Sequence, residues 1–541
     1  MIVKNTTIQN KTKQNRLHNE HILPTHYLTN KEASSFLKSL IDYKNMKDDV
    51  LFSIGLYLVR GNDNPNLKKF LSEYSFQKIN IKDIPNSEFD ILGSVYQYLN
   101  SKKENLERGS FYTNQEIAKD FVKDLNFDKN QTIIDPACGS GAFLFNSNAN
   151  SNQIYGVDND PTAVMIAKFN YFIKFPDADY PNIFHDDFLT WYLKNNELDF
   201  DYVMGNPPYG ATLNLSNIKS LYINSGESFS YFVELGYNLL KKQGILRYLL
   251  PESILNVKKH HDVRNFILNN TNLTHIKKYE TKFSGVMSDL YMLELSASKN
   301  TDYLYFTNNI SSVKVPKSVY KELKNNIFTH FTESDISIIN KVKKVQGHSL
   351  NNSVYGLGVV TGNNKEKLFD APIDKSEPIY TGKEVFKYKL KSPVKHIIFD
   401  RNNLQQVASN SIYRAPKKLV YKTINKYIKV AIDESGSLTT NSANIFIPNI
   451  VELDIYTIMG LLNSQLYSYL NIKLFGGVNK IAKENLQALP IPKLSIEENN
   501  YIKKLVIDII DNNTTDDVLQ DYINKNIFKL SNIEILYINE F

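Results

Sequence analysis

Asn206-Pro207-Pro208-Tyr209 directly follows the apolar run FDYVMG. Two consecutive prolines cannot donate to a sheet ladder and fix an extended turn where a buried strand ends. Such a turn can aim the Asn206 side-chain oxygen and the Pro207 carbonyl at one point. Both are acceptors, so together they suit an amino group with its two donors. Tyr209 adds a face on which a planar base can stack. Upstream, Asp135-Pro136-Ala137-Cys138-Gly139-Ser140-Gly141 follows the run QTII. Glycines at a strand-to-helix turn let backbone pass close to a ligand, and the next helix offers free N–H groups. Asp158, in IYGVDNDP, lies 23 residues after Asp135. At a strand end it can accept hydrogen bonds from both ribose hydroxyls of an adenosine-containing ligand. The competing role, a helix N-cap, fits Asp160 before Pro161 better. Asp187-Phe188 in FHDDFL can hold an adenine ring, the acid by its amino group and the phenyl by its face. Neither G-x-G-x-x-G nor G-x-x-x-x-G-K-[ST] occurs, which disfavours phosphate binding.

These residues need elements to hold them. From Gln131 to about Leu295, QTIID, QIYGVD, IFHDDF and FDYVMGN read as buried strands ending in polar or acidic residues. IAKDFVKDL, PTAVMIAKFNYF and SYFVELGYNLLKK read as the helices between them. The alternation predicts an α/β doubly wound domain with a parallel sheet. Ligands bind beyond the carboxyl ends of such strands, so the acidic and polar ends share one face. Residues 30–105, with EASSFLKSLIDY and DDVLFSIGLYLVR, predict a small helical cap punctuated by Pro65 and Pro85. Past residue 300 come short strands (KHIIFD, KLVYKT, NIFIP) and a helix-like LDIYTIMGLLNSQLYSYLN. The expected division is therefore 1–105, a disordered start and helical domain; 106–300, the α/β domain; and 301–541, a mixed α+β domain.

The bulk composition is that of a globular chain: 541 residues, 42% hydrophobic and 22% charged. Cys138 is the single cysteine, which excludes a disulfide framework and a cysteine-based zinc site. There is no run of about 18 apolar residues to span a membrane. The start, MIVKNTTIQNKTKQNRLHNEH, lacks the apolar stretch of a secretory signal, so the expected location is the cytoplasm. Net charge is +6, unevenly spread. Residues 301–430 hold 22 basic and 10 acidic side chains, against 41 and 47 elsewhere. A basic segment in an otherwise acidic chain is the footprint of polyanion binding.

The order and spacing of these motifs resemble the amino-methyltransferases of bacterial restriction–modification and orphan DNA modification systems. The likeness is to the TaqI-like subclass, in which the cofactor loop precedes Asn-Pro-Pro-Tyr, and covers about 106–295. It implies a Rossmann-like methyltransferase domain that uses S-adenosylmethionine, without a metal, to methylate adenine N6 at specific sites in double-stranded DNA. The adenine is flipped out of the duplex. Arg108-Gly109-Ser110-Phe111-Tyr112-Thr113 is similar to the family's segment at the cofactor's methionine end, although Asn114 replaces the usual proline. The resemblance thus implies Phe111, Tyr112, Thr113, Asp135, Ala137, Gly139, Asp158, Asp187, Phe188 and Asn206 as cofactor residues. Asn206, Pro207 and Tyr209 are the implied catalytic residues. Phe283, in KFSGVMSDLYML, sits where the family places an aromatic against the target base; Tyr279 is a nearby competitor. GLGVVTGNNKEKLF and LLNSQLYSYLNIKLFGG…LQALPIPKLS resemble the family's target-recognition domain. Lys365, Lys367, Lys383, Lys387, Lys389, Arg414, Lys417 and Lys418 are the candidates for DNA phosphates. A monomer is the accompanying expectation, and either an orphan enzyme or one with a separate cognate restriction nuclease as partner is left open. Rival readings are methylation of an RNA guanine or a protein glutamine amide through the same tetrapeptide, and a non-catalytic DNA-recognition subunit. The long basic segment downstream favours DNA.

Overall fold

The apolar runs expected as strands do form one sheet. The computed structural model describes residues 31–85, 90–100, 113–211, 222–280, 289–475 and 480–541. The start expected to be disordered, and Phe111, Tyr112 and Phe283, lie outside the described residues. The chain divides into two compact units, Met1–Lys321 and Glu322–Phe541.

In the first unit the strands are β1 (Ile133–Asp135), β2 (Ile154–Asp158), β3 (Asn182–His185), β4 (Phe200–Gly205), β5 (Leu240–Pro251), β6 (Asn272–Tyr279), β7 (Leu290–Ser296), β8 (Tyr303–Thr307) and β9 (Ser312–Pro316). Their order across the sheet is β3-β2-β1-β4-β5-β7-β6-β8-β9. Strands β1 to β5 pair in parallel, and β7 runs antiparallel to β5 and β6. Ile133, Ile134, Val157, Val203 and Met204 are fully buried, as expected of parallel strands covered on both faces. The carboxyl ends of β1, β2 and β4 therefore lie side by side.

Two boundaries differ from expectation. The sheet continues past residue 300, because YLYFT and SVKVP alternate buried and exposed side chains and form the β8–β9 hairpin beside β6. The helix read in SYFVELGYNLLKK stops at Asn238, and Leu240-Lys241-Lys242 opens β5.

Helix starts are set by side-chain caps. Asn114 accepts the Glu116 N–H at 2.7 Å and so begins the helix Gln115–Val122, a role the usual proline would fill by its fixed φ. Asp160, with Pro161 next, begins Pro161–Lys174, and Asp187 begins Phe188–Asn195. The cap helices Lys47–Leu58, Pro65–Ser72 and Ile91–Leu99 share one core with Pro161–Lys174. A Cβ on Gly55 would stand 2.6 Å from the Phe169 ring, and the Phe70 and Phe169 rings meet edge-on at 5.0 Å.

The second unit is mixed, as expected. It has a pair of strands, β10 (Gln346–His348) with β18 (Ile491–Pro492). A four-stranded antiparallel sheet holds β11 (Val354–Gly356), β14 (Lys418–Lys422), β15 (Val430–Asp433) and β17 (Ala443–Ile447). A three-stranded sheet holds β12 (Glu377–Tyr380), β13 (Lys395–Ile397) and β16 (Leu438–Thr439). The stretch LDIYTIMGLLNSQLYSYLN forms two helices, Ile455–Asn463 and Gln465–Phe475. The break has a visible partner: the buried Asn463 amide pairs with both backbone groups of Val430 in β15, at 2.9 and 2.8 Å. Among the described residues no helix is long and apolar enough to cross a membrane.

Candidate active site

Asp135, at the end of β1, is 1% exposed and accepts the Ala137 N–H at 3.0 Å. Burial pushes its carboxyl well above the usual carboxylate range, and the nearby Asp158 charge adds to the rise. A Cβ on Gly205, the last residue of β4, would come 2.6 Å from Asp135 Oδ1, so the two strand ends are pressed together. The loop then turns through Gly139 at φ +53° and Gly141 at φ +88°, conformations that exclude most side chains. The Gly139 N–H donates to Asp158 Oδ2 at 2.8 Å, and the Asp160 N–H donates to Asp158 Oδ1 at 2.9 Å. Each carboxylate oxygen can accept a further bond, so Asp158 is an oriented acceptor pair. Asp160 takes the capping role, accepting the Thr162 N–H at 3.0 Å.

After β3, Asp187 Oδ1 accepts the Thr190 N–H at 3.1 Å. Phe188 is 3% exposed, with its ring 4.8 Å from that of Phe232. The acid is thus an N-cap at a strand end, and the phenyl belongs to the core beneath it.

The Asn206 turn is held from three directions. Its Nδ2 lies 3.4 Å from the Thr113 hydroxyl, and its Oδ1 accepts the Tyr209 hydroxyl. The same hydroxyl reaches the Leu249 carbonyl of β5 at 2.8 Å. The Ser228 hydroxyl donates to the Pro208 carbonyl, and the Gly210 N–H donates to Glu227 at 2.7 Å. Burial pushes the Tyr209 phenol well above its ordinary range, so it stays a neutral donor. Thr113, Asp135, Ala137, Gly139, Asp158, Asn206, Pro207 and Tyr209 thus gather at one edge of the sheet. Tyr279, the competitor to Phe283, donates its hydroxyl to Asp120, and its ring lies 6.2 Å from Phe121.

Sequence reading missed Glu227, Ser228 and Leu249, which pin the turn, and Asn170, whose Nδ2 donates to the Ser140 carbonyl at 3.0 Å. An asparagine inside a helix is a weak cue to such a bond.

Of the eight basic candidates in the second unit, Lys418 is corrected. Its ammonium is fully buried, pairs with the buried Asp433 and donates to the Tyr413 carbonyl at 2.6 Å. Buried there, it cannot reach a phosphate. Lys387 pairs with Asp516 at 3.2 Å, Lys417 with Glu434 at 2.7 Å, and Arg414 grips both oxygens of Glu377. Lys367 donates to the carbonyls of Thr361 and Asn403, and Lys389 to Asn513 at 3.4 Å. Lys365 and Lys383 are exposed, with no acidic partner among the described residues.

Residues 87–353 match the N-6 DNA Methylase family model, and residues 377–491 match the TaqI-like C-terminal specificity domain. The chain thus carries an N-6 DNA methylase domain followed by a TaqI-like specificity domain. Its relatives include the Type II methyltransferase M.VspI of Vibrio sp. (strain 343), 27% identical over 308 residues, or 54% of this chain and 74% of that one. The Type II methyltransferase M.HincII of Haemophilus influenzae is 27% identical over 250 residues, 44% of this chain and 46% of its own. The match thus spans under half of that second relative's length. The fold is similar to that of the Type IIL restriction-modification enzyme MmeI, solved in complex with DNA. The TM-score is 0.50 and identity 12%, over 94% of this chain and 89% of that one. The domain match and the relatives named as methyltransferases make this chain an adenine-specific DNA methyltransferase of the restriction–modification type. The family match begins at residue 87, inside the cap, in keeping with the core that the cap helices share with the sheet.

Proposed function

We propose that this chain transfers the methyl group of S-adenosylmethionine to N6 of an adenine flipped out of double-stranded DNA at a specific site. The observation that carries the reading is the Asn206 carboxamide, fixed at the end of β4 against Thr113, on the same strand-end edge as the oriented Asp158 carboxylate. The residues present suit the cofactor. Among the described residues nothing lies within 4 Å of a Cβ built on Gly139, so the loop backbone opens on free space beside Asp158. Asp158 would take the ribose hydroxyls, the loop from Asp135 to Gly139 would lie along the cofactor, and Asp187 and Phe188 would border its adenine. Thr113, with Phe111 and Tyr112, would line the methionine end. Bound there, the cofactor supplies a methyl group activated by a sulfonium.

The chain's own residues then act on the target. The amino nitrogen of adenine is a poor nucleophile because its lone pair is delocalised into the ring. Asn206 Oδ1 and the Pro207 carbonyl accept its two N–H groups and favour a more tetrahedral nitrogen. Tyr209, and Phe283 in the family's stacking position, offset the cost of flipping, a few kcal/mol. Alignment of the reactants supplies most of the rate, and no strong base is needed. The second unit, with its specificity-domain match, is assigned target recognition, and its exposed lysines contact phosphates. A cytoplasmic monomer, working beside a separate nuclease, completes the reading.

Asn206→Ala is expected to abolish methyl transfer while cofactor binding, followed by calorimetry, survives. Asp158→Ala is expected to weaken cofactor binding. Equal loss of cofactor binding in both variants, or continued adenine methylation by Asn206→Ala, overturns the reading.

A further inference from the structure

One cap helix, Ile91–Leu99, is tied by side chains to both loops that edge the proposed cofactor site. Near its middle, the Tyr96 hydroxyl donates to Asp160 Oδ2. At its start, Asp90 Oδ1 accepts from Asn170 Nδ2 at 2.9 Å, and the same Nδ2 donates to the Ser140 carbonyl of the glycine loop at 3.0 Å. The Asp160 carboxylate is shared: Oδ1 takes the Thr162 N–H of its own helix at 3.0 Å, and Oδ2 faces Tyr96. The Asp160 backbone N–H in turn holds Asp158 Oδ1 at 2.9 Å. A continuous path of hydrogen bonds therefore runs from the cap, through Asp160, to the carboxylate proposed to bind ribose.

We propose that Tyr96 is a positioning residue for the cofactor: by holding Asp160 it fixes the N–H that orients the Asp158 carboxylate. The inference rests on the reading of Asp158 as the ribose acceptor. A carboxylate at a strand end is free to rotate about its side-chain bonds, and a ligand that must order it loses affinity. Two fixed N–H donors, one to each oxygen, remove that freedom beforehand. The Gly139 donor belongs to the glycine loop itself. The Asp160 donor depends on where the Asp158–Asp160 turn sits, and Tyr96 anchors that turn from outside the strand–helix core. Other ties between cap and helix are independent of this hydroxyl. Thr162 Oγ1 bonds Asp48 at 2.9 Å, and the Gly55 backbone packs on Phe169. Removing the Tyr96 oxygen leaves them in place.

The test is a double-mutant cycle on the full chain, titrating S-adenosylmethionine into wild type, Tyr96→Phe, Asp158→Ala and the double variant. Tyr96→Phe is expected to raise the dissociation constant about fivefold to tenfold, the size of one ordinary hydrogen bond. Its kcat at saturating cofactor and DNA stays at the wild-type value while KM for the cofactor rises. The double variant should bind no more weakly than Asp158→Ala alone, because the hydroxyl acts through that carboxylate. Asp160→Ser, which keeps an oxygen to cap the Thr162 N–H and loses the one that faces Tyr96, is the second variant should Tyr96→Phe fail to fold, with the same direction expected. Wild-type affinity in Tyr96→Phe, or losses that multiply in the double variant, overturn the proposal while leaving Asp158 as the ribose acceptor. Wild-type affinity in Asp158→Ala overturns that reading instead, and the positioning role with it.

Discussion

The Tyr209 hydroxyl has one proton and two acceptors in reach, Asn206 Oδ1 and the Leu249 carbonyl. It can turn toward β5 and release the amide oxygen without leaving a buried donor unpaired, a state that would cost about 1–3 kcal/mol. An incoming amino group thus finds an oxygen already placed, with a neighbour able to step aside. The ring of Tyr209 stands at 80° to that of Phe229, 6.4 Å away, so its plane is set before a base arrives. Tyr209→Phe keeps that ring and is expected to lower kcat/KM by no more than a few fold. Tyr209→Ala loses base stacking, worth about 1–3 kcal/mol, and is expected to cost roughly tenfold to a hundredfold. Steady-state methylation of a short duplex separates the two. Equal losses in both variants would assign the work to the hydroxyl and sink the stacking role.

At the scale of elements, the helix Asn532–Glu540 is pinned to Glu333–Lys344 through Glu534 and Tyr537. Burial alone would raise the Glu534 carboxyl, but the Lys341 ammonium, the Ser531 N–H and the Ser337 and Ser531 hydroxyls outweigh it and hold it at about 2. A carboxyl whose folded value lies below its ordinary 4.5 favours the folded state at neutral pH. That contribution is complete above about 4.5 and is lost as pH falls from there toward about 2. Urea unfolding should show Glu534→Gln weaker than wild type at pH 7, with the difference closing in acid; a gap that persists below pH 2 would contradict the sign. Ser531 and Glu534 have the spacing of a local capping box, but the Ser337 and Lys341 partners lie almost two hundred residues away and could not be read from sequence. Strands β1, β2 and β4 were legible because central parallel strands read as unbroken apolar runs whose ends coincide with the glycine loop, the acids and Asn206. The β8–β9 hairpin and the break after Asn463 were not. An edge hairpin carries a weaker alternating signal, and the break depends on an amide pairing with Val430 in another element.

For the whole molecule, the net charge of +6 and the excess of 22 basic over 10 acidic side chains in 301–430 overstate what can meet a polyanion. Part of that excess is spent internally: Lys387 on Asp516, Lys417 on Glu434 and Lys418 on Asp433, acids outside that segment, and Arg414 on Glu377 within it. A lysine that releases a counterion from DNA must be exposed and unspent, which leaves Lys365 and Lys383 among the sequence candidates. Each phosphate contact steepens the fall of log affinity with log salt by about 0.9. Lys365→Ala and Lys383→Ala should therefore each flatten the slope by about 1 without changing site preference, measured by anisotropy of a labelled duplex across a salt series. Lys418→Ala should behave differently. It leaves the Asp433 carboxylate, 3% exposed, beside a cavity with Ser435 and Ser437 still donating to it, so the cost falls below the ~3–5 kcal/mol of an uncompensated buried charge. Its signature is a lower melting temperature and, in the protein that remains folded, an unchanged salt slope. If Lys418→Ala flattened the slope while Lys383→Ala did not, burial would be the wrong criterion for sorting the basic residues, and the phosphate-contacting face would have to be sought among the side chains now counted as internally paired.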